Sequence, residues 1–152
     1  MFYLVDTNVL LRFADRSHSL HPSIRTAVRR LHQDGHNLQV TSQNCIEFWN
    51  VVTRPVERNG FGLTPSKAER LLQLIERRFP VLPDTSEIYK EWRRLVFAFG
   101  VSGVQVHDAR LVASMKVNAI SHMLTLNVED FKRYISEGIV AVAPGTVGGA
   151  TT

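Results

Sequence analysis

Short apolar runs and helical stripes take turns along this 152-residue chain. The first run, Phe2 to Val5, reads as a buried strand that stops at Asp6. After it, Val9, Leu10, Leu11 and Phe13 mark a helix over about Asn8 to Ala14. Ile24, Ala27, Val28 and Leu31 follow the i, i+3, i+4, i+7 rule and predict an amphipathic helix from Pro22 to about Gln33, with Gly35 placed to end it. Asn37 to Thr41 is strand-like, and Ser42 is expected to cap a helix carrying Cys45, Phe48, Trp49 and Val52 up to Pro55. Thr64-Pro65 opens the next helix, through Leu71, Leu72, Leu74 and Ile75 towards Arg78.

Phe79 to Leu82 is expected to be a brief edge strand, because Pro80 and Pro83 suit only an edge. Asp84 or Thr85 caps a helix with Ile88, Tyr89, Trp92, Leu95, Val96 and Phe99 inward, and a further helix runs from Val106 to about Val117. Ala119 to Leu126 is a strand, Val128 to Tyr134 a short helix, and Gly138 to Val142 the last strand. Strands alternating with helices predict one α/β domain, residues 1–143, with a parallel sheet covered on both faces. The Gly/Thr-rich segment from Pro144 to Thr152 is expected to be a flexible tail.

Composition narrows the class only a little. With 44% hydrophobic and 21% charged residues the chain is an ordinary globular one, and no apolar run approaches the roughly 20 residues of a membrane helix. A lone cysteine, Cys45, and the absence of a signal-peptide pattern point to the reducing cytoplasm. Eighteen basic against fourteen acidic residues give a charge of +4, a surplus that favours an anionic partner such as nucleic acid.

Against that basic background, four acids stand at or near strand-to-helix junctions: Asp6, Glu47 (in the second turn of its helix), Asp108 and Asp130. In an open α/β sheet such junctions line the edge where ligands bind. Asp108 also heads the stripe Asp108, Leu111, Val112, Met115, which aims it along a buried helix face. Carboxylates gathered at one point repel one another unless a cation neutralises them, and an oxygen-only set suits Mg²⁺ or Mn²⁺ better than Zn²⁺. Such ions lower the pKa of a bound water and hold a phosphodiester for in-line attack. Each position also has an ordinary reading. Asp6 and Asn8 can cap a helix, Asp108 gains from the helix dipole, and Asn127 to Asp130 has capping-box spacing. Glu47 lies off the best apolar stripe of its helix, so periodicity alone makes it a solvated charge.

Four segments in series carry a resemblance: Leu4-Val5-Asp6-Thr7-Asn8-Val9-Leu10; Thr41-Ser42 with Glu47 beyond; His107-Asp108-Ala109-Arg110-Leu111; and Leu124-Thr125-Leu126-Asn127-Val128-Glu129-Asp130-Phe131. Together they resemble the PIN-domain nucleases, and most closely the VapC toxins of bacterial type II toxin–antitoxin pairs. The resemblance implies a five-stranded parallel sheet with helices on both faces and Mg²⁺- or Mn²⁺-dependent cleavage of RNA at an acidic pocket. It implies that Asp6, Glu47 and Asp108 are the core metal-binding acids, that Asn8 supports the first of them, and that Thr125 stands near the pocket. Many relatives carry an aspartate where this chain has Asn127, which leaves Asp130 as the substitute fourth acid. A homodimer and a cognate antitoxin are implied too. Trp49, Phe61 and Phe97 to Phe99 suit such contacts or, more simply, core packing.

The residues and the resemblance therefore point to a metal-dependent endoribonuclease, a hydrolase acting through metal-activated water. Two competitors stand beside it. One is a catalytically degenerate module that binds RNA or protein, which Asn127 favours. The other is a phosphatase or DNA nuclease of another α/β family.

Overall fold

The computed structural model describes residues 1–148. Its centre is the strand β1, Phe2–Val5, whose last three residues are buried. It is flanked by β2 (Asn37–Gln39) and β3 (His122–Leu124), with β4 (Val140–Val142) outside β3. The sheet order is β2-β1-β3-β4 and every pairing is parallel. Tyr3 stands opposite Leu38 and His122, and Val5 opposite Leu124. Parallel strands share one carboxyl edge, so this register brings Asp6 and Thr125, the residues after β1 and β3, side by side.

Helices cover both faces. The helices α1 (Thr7–Ala14), α2 (His21–Gln33), α3 (Ser42–Thr53) and α4 (Pro65–Arg78) build one core around Tyr3, Val5, Ile24, Phe48, Ile75 and Leu124. The helices α5 (Ser86–Ala98) and α6 (Gln105–Val117), with the 3-10 segment Val128–Glu137, build the second around Leu4, Leu95, Leu111, Met115, Met123 and Phe131. Alternate residues of a strand face opposite sides. Tyr3 and Val5 thus enter one core while Leu4 enters the other. The helix α6 buries Ala109 and every residue from Leu111 to Met115, the composition of a helix packed on more than one side.

The sheet has four strands, not the five expected. The Phe79–Leu82 segment touches it at a single parallel bridge, Val40 to Val81, with Leu82 N donating to the Val40 carbonyl at 2.8 Å. Pro80 and Pro83 lack the N–H groups that would extend the ladder. The strand expected over Ala119 to Leu126 is shorter because α6 ends in a turn that uses up its start. Ala119 sits at φ 54° and Ile120 N reaches back to the Met115 carbonyl at 2.8 Å. At α3 the cap is Thr41 rather than Ser42. The Thr41 side chain accepts from Asn44 N, and Asn44 reciprocates, which completes a capping box. Ser42 Oγ instead donates to the Asp84 carboxylate at 2.7 Å, so Asp84 is not free to cap α5, and Thr85 holds that position without a side-chain bond.

The tail expected from Pro144 is packed over 144–148. Pro144–Thr146 forms a 3-10 turn against α2, with Pro144 buried and Val147 on the first core. Residues 149–152 lie outside the described residues. Trp49 and Phe61 pack on the first core and Phe99 tilts against Tyr134 at 5.0 Å, whereas Phe97 is 91% exposed. Cys45 is half-buried beside the first core. Among the described residues no helix is long and apolar enough to cross a membrane.

The turn after α3 yields the first prediction. A Cβ on Gly60 would lie 1.9 Å from the Arg54 carbonyl oxygen, a backbone atom that cannot swing aside. Gly60→Ala is expected to destabilise the fold by about 1–3 kcal/mol, as overpacking does. Urea unfolding checks this, and an unchanged midpoint with an unchanged slope would refute it.

Candidate active site

At the carboxyl edge of β1 the chain turns from strand to helix at Asp6. Its N–H extends the ladder to the Leu124 carbonyl at 2.9 Å, and its carbonyl accepts from Val9 N at 3.0 Å and Leu10 N at 3.2 Å. The backbone is therefore held on both sides, and the side chain has one place to go. It is 7% exposed, with Oδ1 accepting from Thr7 N and Oδ2 from Thr125 Oγ1, both at 2.8 Å. Burial pushes its pKa up to about 6, against the pull of those two bonds, and the charges of Glu47 and Asp130 push the same way.

Glu47 reaches this edge from α3 and is half-buried, not solvated. Thr7 Oγ1 donates to Glu47 Oε2 at 2.7 Å, and Gln43 Nε2 donates to Oε1 at 2.8 Å. Thr7 is itself aimed by the fully buried Asn44, whose Nδ2 donates to its hydroxyl at 3.1 Å. Asp108 comes from the first turn of α6 and is half-buried. Burial raises its pKa to about 6, and the charges of Asp6, Asp130 and Glu47 add to that rise. Asp130 is exposed on the 3-10 segment, yet its charge is felt at both Asp6 and Asp108. The four sequence-selected acids thus form one electrostatic cluster.

The supporting residues sort differently from their sequence reading. Thr125 is fully buried and bonds Asp6 directly. Asn8 makes no side-chain hydrogen bond to Asp6. Its Oδ1 accepts from Leu126 N at 3.2 Å and pins the loop after β3. Asn127 contributes through its backbone, donating N–H to Thr125 Oγ1 at 3.0 Å, while its side chain is exposed. Sequence reasoning missed Thr7, Gln43 and Asn44. The Thr41-x-x-Asn44 spacing and the four-residue step from Gln43 to Glu47 were the available signals. His107 is exposed and Arg110 is engaged with Gln43 and Asp84.

No ion pair among the described residues includes any of the four acids. Of the basic side chains only His107 acts on Asp108, and weakly beside the like charges there, and every donor is oxygen. In charge and chemistry this set fits a hard divalent cation. The carboxylates stand apart: among the described residues no three acid, histidine or cysteine side chains converge as a ready-made metal cage. The hydrogen bonds explain the spread, since Asp6 leans on Thr125 and Glu47 on Thr7 and Gln43. Each bonded oxygen keeps a further lone pair for a cation.

The raised Asp6 pKa has a definite sign in stability. Between about pH 6 and 4 the folded chain holds a proton that the unfolded chain, with its ordinary value of 3.8, has released. Unfolding free energy from this group therefore falls as pH rises, by about 3 kcal/mol in all. His122, whose pKa burial lowers, acts in the opposite direction. Glu137, held near 2 by Arg94 and Lys116, loses its stabilisation only at lower pH, below its ordinary 4.5. The difference between wild type and Asp6→Asn carries the Asp6 contribution together with the part of the Asp108 rise that the Asp6 charge supplies, and both have the same sign. From pH 5 to pH 7 wild type is expected to lose stability relative to the variant in metal-free thermal melts. Parallel curves over that range would refute a raised Asp6 pKa.

Comparison with known proteins adds a family and a fold. A family model described as PIN domain matches residues 3–135. No curated protein matches the chain. Among solved structures, VapBC2 from Rickettsia felis bound to a promoter DNA fragment aligns with a TM-score of 0.69 at 14% identity, over 94% of this chain and 98% of that one. VapBC-1 from nontypeable Haemophilus influenzae gives 0.69 at 16%, over 95% and 98%. VapC20 from Mycobacterium tuberculosis, described as a sarcin–ricin loop cleaving toxin, gives 0.62 at 16%, over 93% and 98%. At such identities the likeness establishes a shared fold.

Proposed function

This chain belongs to the PIN-domain family, and from that premise we propose that it is a Mg²⁺- or Mn²⁺-dependent endoribonuclease, the toxin half of a toxin–antitoxin pair. The observation that carries the reading is the cluster of Asp6, Glu47, Asp108 and Asp130, in which the charges of Glu47 and Asp130 help raise the proton affinity of the buried Asp6 and of Asp108 and none of the four is ion-paired among the described residues. Asp6, Glu47 and Asp108 would hold the cation, with Asp130 as the fourth acid in place of the side chain that Asn127 lacks. Bound there, a divalent cation supplies charge neutralisation at a phosphodiester and activation of water for attack.

The chain's own residues do the rest. Thr125 and the Thr7 N–H keep Asp6 at the strand end. Thr7 and Gln43 hold the two Glu47 oxygens. Asn8 and the Asn127 N–H close the loop over Thr125, so the acidic edge is rigid on the β3 side. The net charge of +4 favours the approach of a polyanion.

The partner reading has its own support. A cleft of about 780 Å³ between the end of α1, α2 and α4 is lined by the apolar Phe13, Leu71, Leu74 and Ile75 and by the basic Arg16, Arg25 and Arg78. An amphipathic, acidic antitoxin segment matches that mix of apolar and basic lining. The similar solved structures include a toxin–antitoxin complex from Klebsiella pneumoniae, and the protein is proposed to act in the cytoplasm as a homodimer held in check by its antitoxin.

The deciding experiment is cleavage of total and transfer RNA by the purified chain with Mn²⁺ and with EDTA. Cutting with Mn²⁺ that stops in EDTA is expected. Cutting that persists in EDTA would refute metal dependence. The spread of the carboxylates favours a second reading, a PIN-domain module that binds without cutting. It predicts no cleavage and no heat of Mn²⁺ binding in a calorimetric titration.

A further inference from the structure

We propose that Gln43 is a positioning residue whose amide clamps Glu47 of α3 to the first turn of α6 and thereby sets the spacing of Glu47 and Asp108 toward a divalent cation. The inference rests on the metal-site reading above and adds to it a residue outside the acidic set.

Gln43 is buried at 9% exposure, one turn before Glu47 on α3. Its Nε2 donates to Glu47 Oε1 at 2.8 Å and to the His107 carbonyl, also at 2.8 Å. The second bond spans 64 residues of chain and ends next to Asp108. Its Oε1 accepts from Arg110 at 3.3 Å, and Arg110 is in turn held by Asp84, which accepts from Ser42. Both amide protons and the amide oxygen are therefore in use.

These partners also decide which way round the amide sits. Turned over, its carbonyl would face a carboxylate and a backbone carbonyl, acceptor against acceptor. The Arg110 guanidinium on the other side makes the observed orientation the satisfied one. Residue choice at 43 is correspondingly narrow. Glutamate would set a second anion against Glu47, asparagine is a methylene too short, and leucine fills the volume without donating. On its far side Glu47 is held by Thr7, the neighbour of Asp6. Gln43 thus closes a chain of hydrogen bonds that runs from the end of β1 through α3 to α6. Groups that orient a metal-binding side chain typically change metal affinity by 10–100-fold when removed.

The test is calorimetric titration with Mn²⁺ of wild type, Gln43→Leu and Arg110→Ala, with thermal unfolding of each in EDTA. Gln43→Leu is expected to weaken Mn²⁺ binding about tenfold, and Arg110→Ala to weaken it in the same direction by less. Metal-free midpoints separate the alternatives. A lowered midpoint with Mn²⁺ affinity within twofold of wild type would show packing only and overturn the clamp. Should Gln43→Leu fail to fold, Gln43→Met keeps the length without the donor and is judged by the same readings. Wild type that binds Mn²⁺ with a variant that binds equally well overturns the clamp alone. Wild type that binds no Mn²⁺ overturns the metal site and the clamp with it.

Discussion

Under the proposed function, Asp6→Asn is expected to lower Mn²⁺-dependent RNA cleavage by roughly a thousandfold, the loss due where a group supplies several kcal/mol through a bound cation. The substitution removes one charge and almost no volume. Its amide oxygen still accepts one hydrogen bond, from Thr7 N or Thr125 Oγ1, the two donors that meet Asp6 at 2.8 Å. The fold is therefore retained, and at neutral pH the variant unfolds at a higher temperature, because a buried anion is gone. Loss of activity together with gained stability is the signature that separates a functional acid from a structural one. Asp108→Asn is expected to share the loss of cleavage. Its stability gain is smaller, because the half-exposed carboxylate is screened by solvent. Cleavage within threefold of wild type in the Asp6→Asn protein would remove Asp6 from the mechanism. The assay is single-turnover RNA cleavage beside circular dichroism melts.

Phe48→Ala destabilises the protein by about 3–5 kcal/mol, the range for deleting a buried aromatic ring. Phe48 is fully buried in the first core and sits one residue beyond Glu47. For a chain of this length that loss corresponds to a fall in melting temperature of roughly 6–20 °C. The cavity would lie under the helix that carries Gln43, Asn44 and Glu47, so relaxation of α3 is expected to weaken Mn²⁺ binding as well. Ile46→Ala, two residues away but 69% exposed, is expected to shift stability by no more than about 0.5 kcal/mol. Comparable losses in the two variants would show that α3 does not pack as described.

The triplet Ile46, Glu47, Phe48 also shows what one helical step of 100° does. One residue faces solvent, the next faces the acidic edge, and the third enters the core. Periodicity located Phe48 without difficulty, because a buried face repeats. It misplaced Glu47 as solvated, because a polar residue on a half-buried flank leaves no repeat to detect.

Element order, the parallel α/β class and the position of Asp6 at a strand end were set by the sequence alone. Apolar runs, apolar stripes and proline placement are local signals, and each is written within about a dozen residues. The same locality explains the misses. A fifth strand was expected from apolar residues at 79–82, while prolines confined it to a single bridge at Val81. Ser42 looked like a cap, but Asp84, 42 residues on, took its hydroxyl and left the cap to Thr41.

Tertiary structure alone decided how the acids are held. Thr125 bonds Asp6 across 119 residues, Thr7 bonds Glu47 across 40, and Gln43 reaches the turn of Asp108 across 64. The elevation of Asp6 and Asp108 to pKa values about 6 depends on burial and on like charges from distant segments. Sequence determines which groups are available and which strand or helix carries them. Only packing sets the distance between charges on different elements, and Coulomb energy and desolvation depend on that distance and on burial.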